Sequence, residues 1–131
     1  MTAVAPSLPE QATVTCRGQT TTLFALTQRE AKAHGLPPRL LSAMAWQEST
    51  WNPRAVSYAG AEGLMQINPH WHPRMQGHTF DACASVHYAA HLIRDLWTEY
   101  GTLEKALVKY SGGASGYADN VIGYMERKVR G

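Results

Sequence analysis

The sequence predicts a mainly α-helical fold, a single domain of about five to six helices. Three observations predict it. Apolar residues recur at helical spacing in one segment after another. Cap residues and Gly or Pro stops bracket those segments. Strand patterns are nearly absent, apart from a stretch near 55–63 that reads as a small β-hairpin. The chain has 131 residues, one domain's worth, and its apolar fraction of 44% with a charged fraction of 17% excludes intrinsic disorder.

Each element follows from local chemistry. Residues 1–15 are polar and Pro-dotted, and are expected to be a flexible leader before a domain at 16–131. Thr27-Gln28-Arg29-Glu30 has the pattern of a capping box for a short helix that stops at Gly35. Pro37-Pro38 suits the first turn of the next helix, over 38–50, with Leu40, Leu41, Met44 and Ala45 as its stripe and Asn52-Pro53 as its end. A short apolar piece, Leu64 to Ile67, precedes a loop over 68–79 that carries His70, His72, His78 and Trp71. Asp81 caps a long helix to Tyr100, striped by Val86, Ala89, Ala90, Ile93, Leu96, Trp97 and Tyr100 and closed by Gly101. Thr102 caps a helix with Leu103, Ala106, Leu107 and Tyr110 on one side. After the turn Ser111 to Gly116, a last helix shows Tyr117, Val121, Tyr124 and Met125 at helical spacing.

Charge and cysteines bound the function classes. A net charge of +2 and a pI of about 8.6 lack the concentrated Lys/Arg of a nucleic-acid binder, and no nucleic-acid partner is expected. No apolar run reaches the ~18 residues of a membrane span, so no membrane insertion is expected. The first residues show neither a basic nor an apolar signal region, so no signal peptide is read in this chain. Cys16 and Cys83 permit one disulfide or two buried thiols, and parity leaves both open.

Glu48 stands out. It follows Leu41 by seven residues and Met44 by four, so it projects from the apolar face of its helix, which offers no basic partner there. A carboxyl buried without a cation has a raised pKa, and a neutral carboxylic acid near pH 7 is what general-acid catalysis needs. The bland alternative is a helix-end Glu turned to water.

Three segments then add to the position. The chain reads Ala45-Trp46-Gln47-Glu48-Ser49, then Gly63-Leu64-Met65-Gln66-Ile67-Asn68, then Lys109-Tyr110-Ser111-Gly112-Gly113. In this order and spacing they resemble the lytic transglycosylases with an SLT-type, lysozyme-like domain, and the resemblance covers residues 16 to 128. Cys16 and Asp81-Ala82-Cys83 are similar in placement to the small specialised transglycosylases of bacterial secretion, conjugation and pilus machines, where the two cysteines pair. Phage wall-degrading enzymes also use this domain. Two departures stand out: Ser111 replaces the Asn of the family's Tyr-Asn pair, and Ser85 lies near the place of an Asn usual early in the long helix.

The resemblance implies a peptidoglycan substrate cut at the β-1,4 bond from N-acetylmuramic acid to N-acetylglucosamine, with a 1,6-anhydro product and no cofactor. It implies Glu48 as the catalytic acid, with Ser49 and Tyr110 supporting its orientation. Gly63, Met65, Gln66 and Tyr124 are implied as substrate-binding, with Tyr117 a weaker alternative to Tyr124. Trp51, three residues after Glu48, and Trp71 are candidate flanking aromatics, whereas Trp46 and Trp97 read as packing. Glu62 is a candidate second acid; if it faced the cleft, hydrolysis would become possible. The implied setting is the periplasm or cell wall, with a secretion or conjugation apparatus as candidate partner.

Three alternatives compete: a phage-type hydrolytic muramidase on the same bond, a non-catalytic peptidoglycan-binding module, and a metal site. His87 and His91 are four apart on a helix, but Tyr88 stands where a zinc protease needs Glu. They read as solvated histidines, and no metal is expected.

Overall fold

A computed structural model describes residues 8–130, and the part of the expected leader over 1–7 lies outside them. The order of elements is a 3-10 turn (Pro9–Gln11), β1 (Thr13–Cys16), β2 (Gln19–Thr22), α1 (Leu23–Ala33), α2 (Leu40–Ser49), a 3-10 turn (Pro73–Met75), α3 (Ala82–Tyr100), α4 (Leu103–Tyr110) and α5 (Tyr117–Arg130). The mainly helical expectation holds.

Three local expectations change. Residues 8–15 are not a loose leader. Thr13–Cys16 pairs antiparallel with Gln19–Thr22 across a turn at Arg17-Gly18, and Ala12 accepts a bond from the Leu23 amide. The first helix begins earlier than the capping-box pattern implies. Thr22 caps it by accepting from the Ala25 amide at 3.0 Å, while Thr27 is buried mid-helix and donates to the Phe24 carbonyl. The small hairpin expected over 55–63 is replaced by isolated bridges, Val56 to Glu62 and Glu62 to Ile67, and the two-stranded sheet lies at the N-terminal end instead.

α2 is the centre of the domain. Every residue from Leu40 to Ala45 is buried, Ser42 included, with Ser42 Oγ donating to the Arg39 carbonyl. A helix that is apolar all round must be covered on several sides. α1, α3 and α5 all pack on it, and α4 closes against α3 and α5. The first half of the long helix behaves as its stripe predicts, with Val86, Ala89, Ala90 and Ile93 fully buried; past the core, Leu96 and Trp97 are half-buried and Tyr100 is exposed, while the Asp81 carboxylate caps the helix at Ala84 and Gly101 ends it in the left-handed conformation. Cys16 and Cys83 form a disulfide that ties the end of β1 to the first turn of α3.

Candidate active site

Glu48 sits in the last turn of α2, partly buried. Neither ion pair among the described residues involves it. Burial pushes its carboxyl from the ordinary 4.5 up to about 7, and the Tyr117 hydroxyl holds it back from rising further. That contact is looser than a formed hydrogen bond, since the buried Tyr117 hydroxyl has no partner at full hydrogen-bond geometry. Tyr110 and Tyr117 stack with centroids 6.4 Å apart. Burial first, and then the charge of Glu48, push both phenols well above their usual pKa, so both remain proton donors at any working pH.

The backbone beyond Glu48 turns sharply. Thr50 and Trp51 take left-handed conformations, φ 49° and 65°, and Gln66 does the same at 53°. Each such residue costs about 1–2 kcal/mol, and strain of this kind collects where a site must be held in place. The turn brings the segment from Gly63 to Gln66 back onto the end of α2. Ser49 Oγ donates to the Leu64 carbonyl at 2.7 Å and accepts from the Asn52 amide. Tyr110, from α4, donates to the Met65 carbonyl at 2.9 Å. Gln66 Nε2 donates to the carbonyls of Gly63 and Ala55.

These bonds correct several expected roles. Ser49 does not orient Glu48 through its hydroxyl. It clamps the loop, because the short side chain at a helix end finds the Leu64 carbonyl first. Tyr110 is near the acid, but its hydroxyl is spent on Met65. Met65 is fully buried core and presents no side chain to a ligand. Trp51 is also core, 2% exposed and packed against Phe24, so it flanks no sugar. The amide nitrogen of Gln66 is used inside the loop. Glu62 accepts from Thr79 Oγ1 at 2.7 Å.

The same packing turns other aromatics outward. Trp46, expected to pack, is 41% exposed and stacks on Tyr124 with centroids 6.1 Å apart. Trp71 is exposed in its loop. Tyr117 is the residue that sequence reading undervalued. It opens α5 right after the Gly-rich turn, and its spacing with Val121 and Tyr124 spoke only of a helix face.

Gly63 has a backbone reason to be Gly. Its φ is +81°, and a Cβ there would lie 1.9 Å from the Thr79 carbonyl oxygen. Gly63→Ala therefore combines left-handed strain with overpacking against backbone, a loss of about 2–5 kcal/mol. A urea unfolding curve should show the midpoint falling accordingly.

Comparison with known proteins decides the family. Residues 25–128 match the family described as "Transglycosylase SLT domain". The chain belongs to this family. A transglycosylase of Enterobacteria phage PRD1 is 34% identical over 83 residues, covering 63% of this chain and 31% of that protein. Protein IpgF of Shigella flexneri is 33% identical over 98 residues, covering 66% of the chain and 64% of that protein. Membrane-bound lytic murein transglycosylase C of Actinobacillus pleuropneumoniae is 48% identical over 44 residues, 34% of the chain and 12% of that protein. The SLT domain thus spans under a third of the phage relative and about an eighth of the murein transglycosylase. A 70-kDa soluble lytic transglycosylase, solved with bulgecin A, superposes with a TM-score of 0.61 over 79% of this chain and 19% of that one, at 23% identity. That likeness shows the fold, the lysozyme-like one expected from the motifs.

Proposed function

We propose that this SLT domain is a peptidoglycan lytic transglycosylase with Glu48 as its acid and base. The observation that carries the reading is a partly buried carboxyl with no cation partner, raised to about 7 by desolvation. Protonated Glu48 donates to the oxygen of the β-1,4 bond between N-acetylmuramic acid and N-acetylglucosamine. The C1–O bond breaks, and the oxocarbenium-like centre is stabilised by the substrate's own N-acetyl group. Glu48, now a carboxylate, takes the proton of the muramic acid C6 hydroxyl. The C1–O6 bond closes the 1,6-anhydro ring, and the proton is back on Glu48. No water is consumed and no second carboxylate is needed.

In this reading Ser49, Gly63, Gln66 and Tyr110 hold the loop against the acid through backbone bonds, and Tyr117 sets its proton affinity. Trp46 and Tyr124, stacked and partly exposed, offer an apolar ring face to sugar C–H groups. The setting would be the periplasm or cell wall. The Cys16–Cys83 bridge supports the branch that opens the wall for a secretion or conjugation apparatus. Among the described residues no helix is long and apolar enough to cross a membrane.

Incubation with purified sacculi and mass spectrometry of the soluble products tests the reading. Anhydro-muropeptides are the expected products. Reducing-end muropeptides would make the domain a muramidase, and tight binding without release would make it a binding module.

Tyr117→Phe supplies a second test. The Tyr117 hydroxyl lowers the pKa of Glu48, so its loss lets desolvation act alone and the pKa rises above 7. Activity needs the protonated acid and falls as pH rises through that pKa. The alkaline limb of the pH profile therefore moves to higher pH in the Phe variant. A role in packing alone would leave the limb in place.

A further inference from the structure

A cluster of three histidines lies on a part of the molecule that the proposed reaction does not use. His34 follows α1 at its C-cap, and His87 and His91 stand one turn apart on α3. A ring nitrogen from each lies within 4.8 Å of those of the other two. The ring centroids form a tight triangle with edges of 5.3, 4.5 and 4.9 Å. The α3 pair alone reads as solvated polar flank. What changes the reading is His34, which arrives from another helix.

The hydrogen bonds around the cluster set its chemistry. His34 Nδ1 lies 2.8 Å from the Glu30 carbonyl oxygen, which can only accept, so the proton is on Nδ1 and the lone pair is on Nε2. His87 Nδ1 lies 3.2 Å from Glu30 Oε2, and a carboxylate imposes the same tautomer. One residue, Glu30, thus orients two imidazoles. A backbone carbonyl or a carboxylate on the far ring nitrogen is the usual support of a metal-binding histidine, because it fixes the tautomer and raises the basicity of the ligating nitrogen. These tautomers leave Nε2 of His34 and of His87 each with a lone pair, and His91 brings a third imidazole to the same cluster. A cation can accept from all three.

We propose that His34, His87 and His91 form a binding site for a divalent transition-metal ion, of which Zn²⁺ is the best fit, with Glu30 as the supporting carboxylate. Three imidazoles are a set that Zn²⁺, Cu²⁺, Ni²⁺ and Co²⁺ favour over Mg²⁺ or Ca²⁺, whose preferred ligands are oxygens. Closing the triangle to Zn–N bonds of ~2.0–2.1 Å moves each nitrogen inward by roughly 1 Å or less, within the reach of side-chain rotation. His87 and His91 are exposed, which leaves the fourth position of a tetrahedron to solvent. Asp95 lines the same groove as His87 and His91. An ion held here would pin the C-terminal end of α1 to α3. The site shares no residue with the arrangement around Glu48, so it stands or falls separately from the proposed activity.

Tag-free protein titrated with ZnCl₂ in a calorimeter, and with Co²⁺ followed by its visible d–d absorption, tests the site. We expect one saturable ion per chain, a tetrahedral Co²⁺ spectrum, and a rise in Tm with Zn²⁺ that EDTA reverses. His87→Ala and His91→Ala, both at exposed positions, each abolish the Co²⁺ spectrum. Glu30→Gln keeps all three ligands and weakens binding by about 10–100-fold. His78→Ala, outside the cluster, leaves binding as it was. Absence of saturable binding to the unaltered chain overturns the proposal. So does binding that survives His87→Ala and His91→Ala, or that His78→Ala reduces as much as they do.

Discussion

Glu48→Gln releases no anhydro-muropeptides above background from purified sacculi. The amide can neither give nor take the proton, and a positioned general acid is worth roughly 10²–10⁴ in rate. Because one side chain performs both transfers in the proposed route, the loss lies at the upper end of that range. Binding to sacculi survives, since the amide keeps the shape of the acid. The same substitution has an opposite effect on stability, and its sign follows from the raised pKa. Below pH 4.5 both folded and unfolded chains hold the proton, and the buried acid costs nothing. Between 4.5 and about 7 the unfolded chain ionises while the folded one does not, so stability falls as pH rises. Above 7 the penalty is complete, at about 3 kcal/mol. Glu48→Gln removes it. Thermal melts at pH 8 should show the variant more stable than the unaltered chain, and melts at pH 4 should show little difference. Unchanged wall digestion by Glu48→Gln, or a stability gain that does not depend on pH, would remove the basis of the proposed function.

Removing the disulfide should cost a large share of the stability. Cys16 and Cys83 are 67 residues apart in sequence, and a loop of that length gives a bridge worth about 4 kcal/mol by restriction of the unfolded chain. For a domain of this size that corresponds to a Tm lower by roughly 10–20 °C. Cys16→Ala with Cys83→Ala, or melting under reductant, should both show it. The bridge holds only the β1–β2 hairpin to the start of α3, while the core around α2 is complete without it. The reduced protein should therefore still fold at room temperature and retain the Glu48 site.

The helices were legible because their signals act within a turn or two. Asp81 and Thr102 cap where they were expected to, Gly101 ends α3, and the first half of its apolar stripe is buried. Where local signals compete, the reading slips. Thr27 and Glu30 have the spacing of a capping box, yet β2 delivers Thr22 to the helix start first, and Glu30 is left to face histidines. Glu48 was legible for a related reason: its spacing from Leu41 and Met44 put a carboxyl on a buried stripe, and the motifs around it agreed.

Its neighbours were not legible. Periodicity says that a side chain faces inward, but not whom it meets there. Ser49 and Tyr110 were expected beside the acid, yet each finds a loop carbonyl 15 or 45 residues away. Trp51 is turned into the core by two successive left-handed residues, and Trp46, one turn before, is left outside. Tyr117 reaches Glu48, and His34 joins His87 and His91, only because α5 packs on α2 and α1 packs on α3. The primary structure alone therefore settled the helical class and the family and singled out Glu48 as the candidate acid, all of which rest on short-range caps, stripes and motifs. Packing between distant segments chose which groups surround that acid and which histidines share a site, because those contacts depend on how whole helices meet.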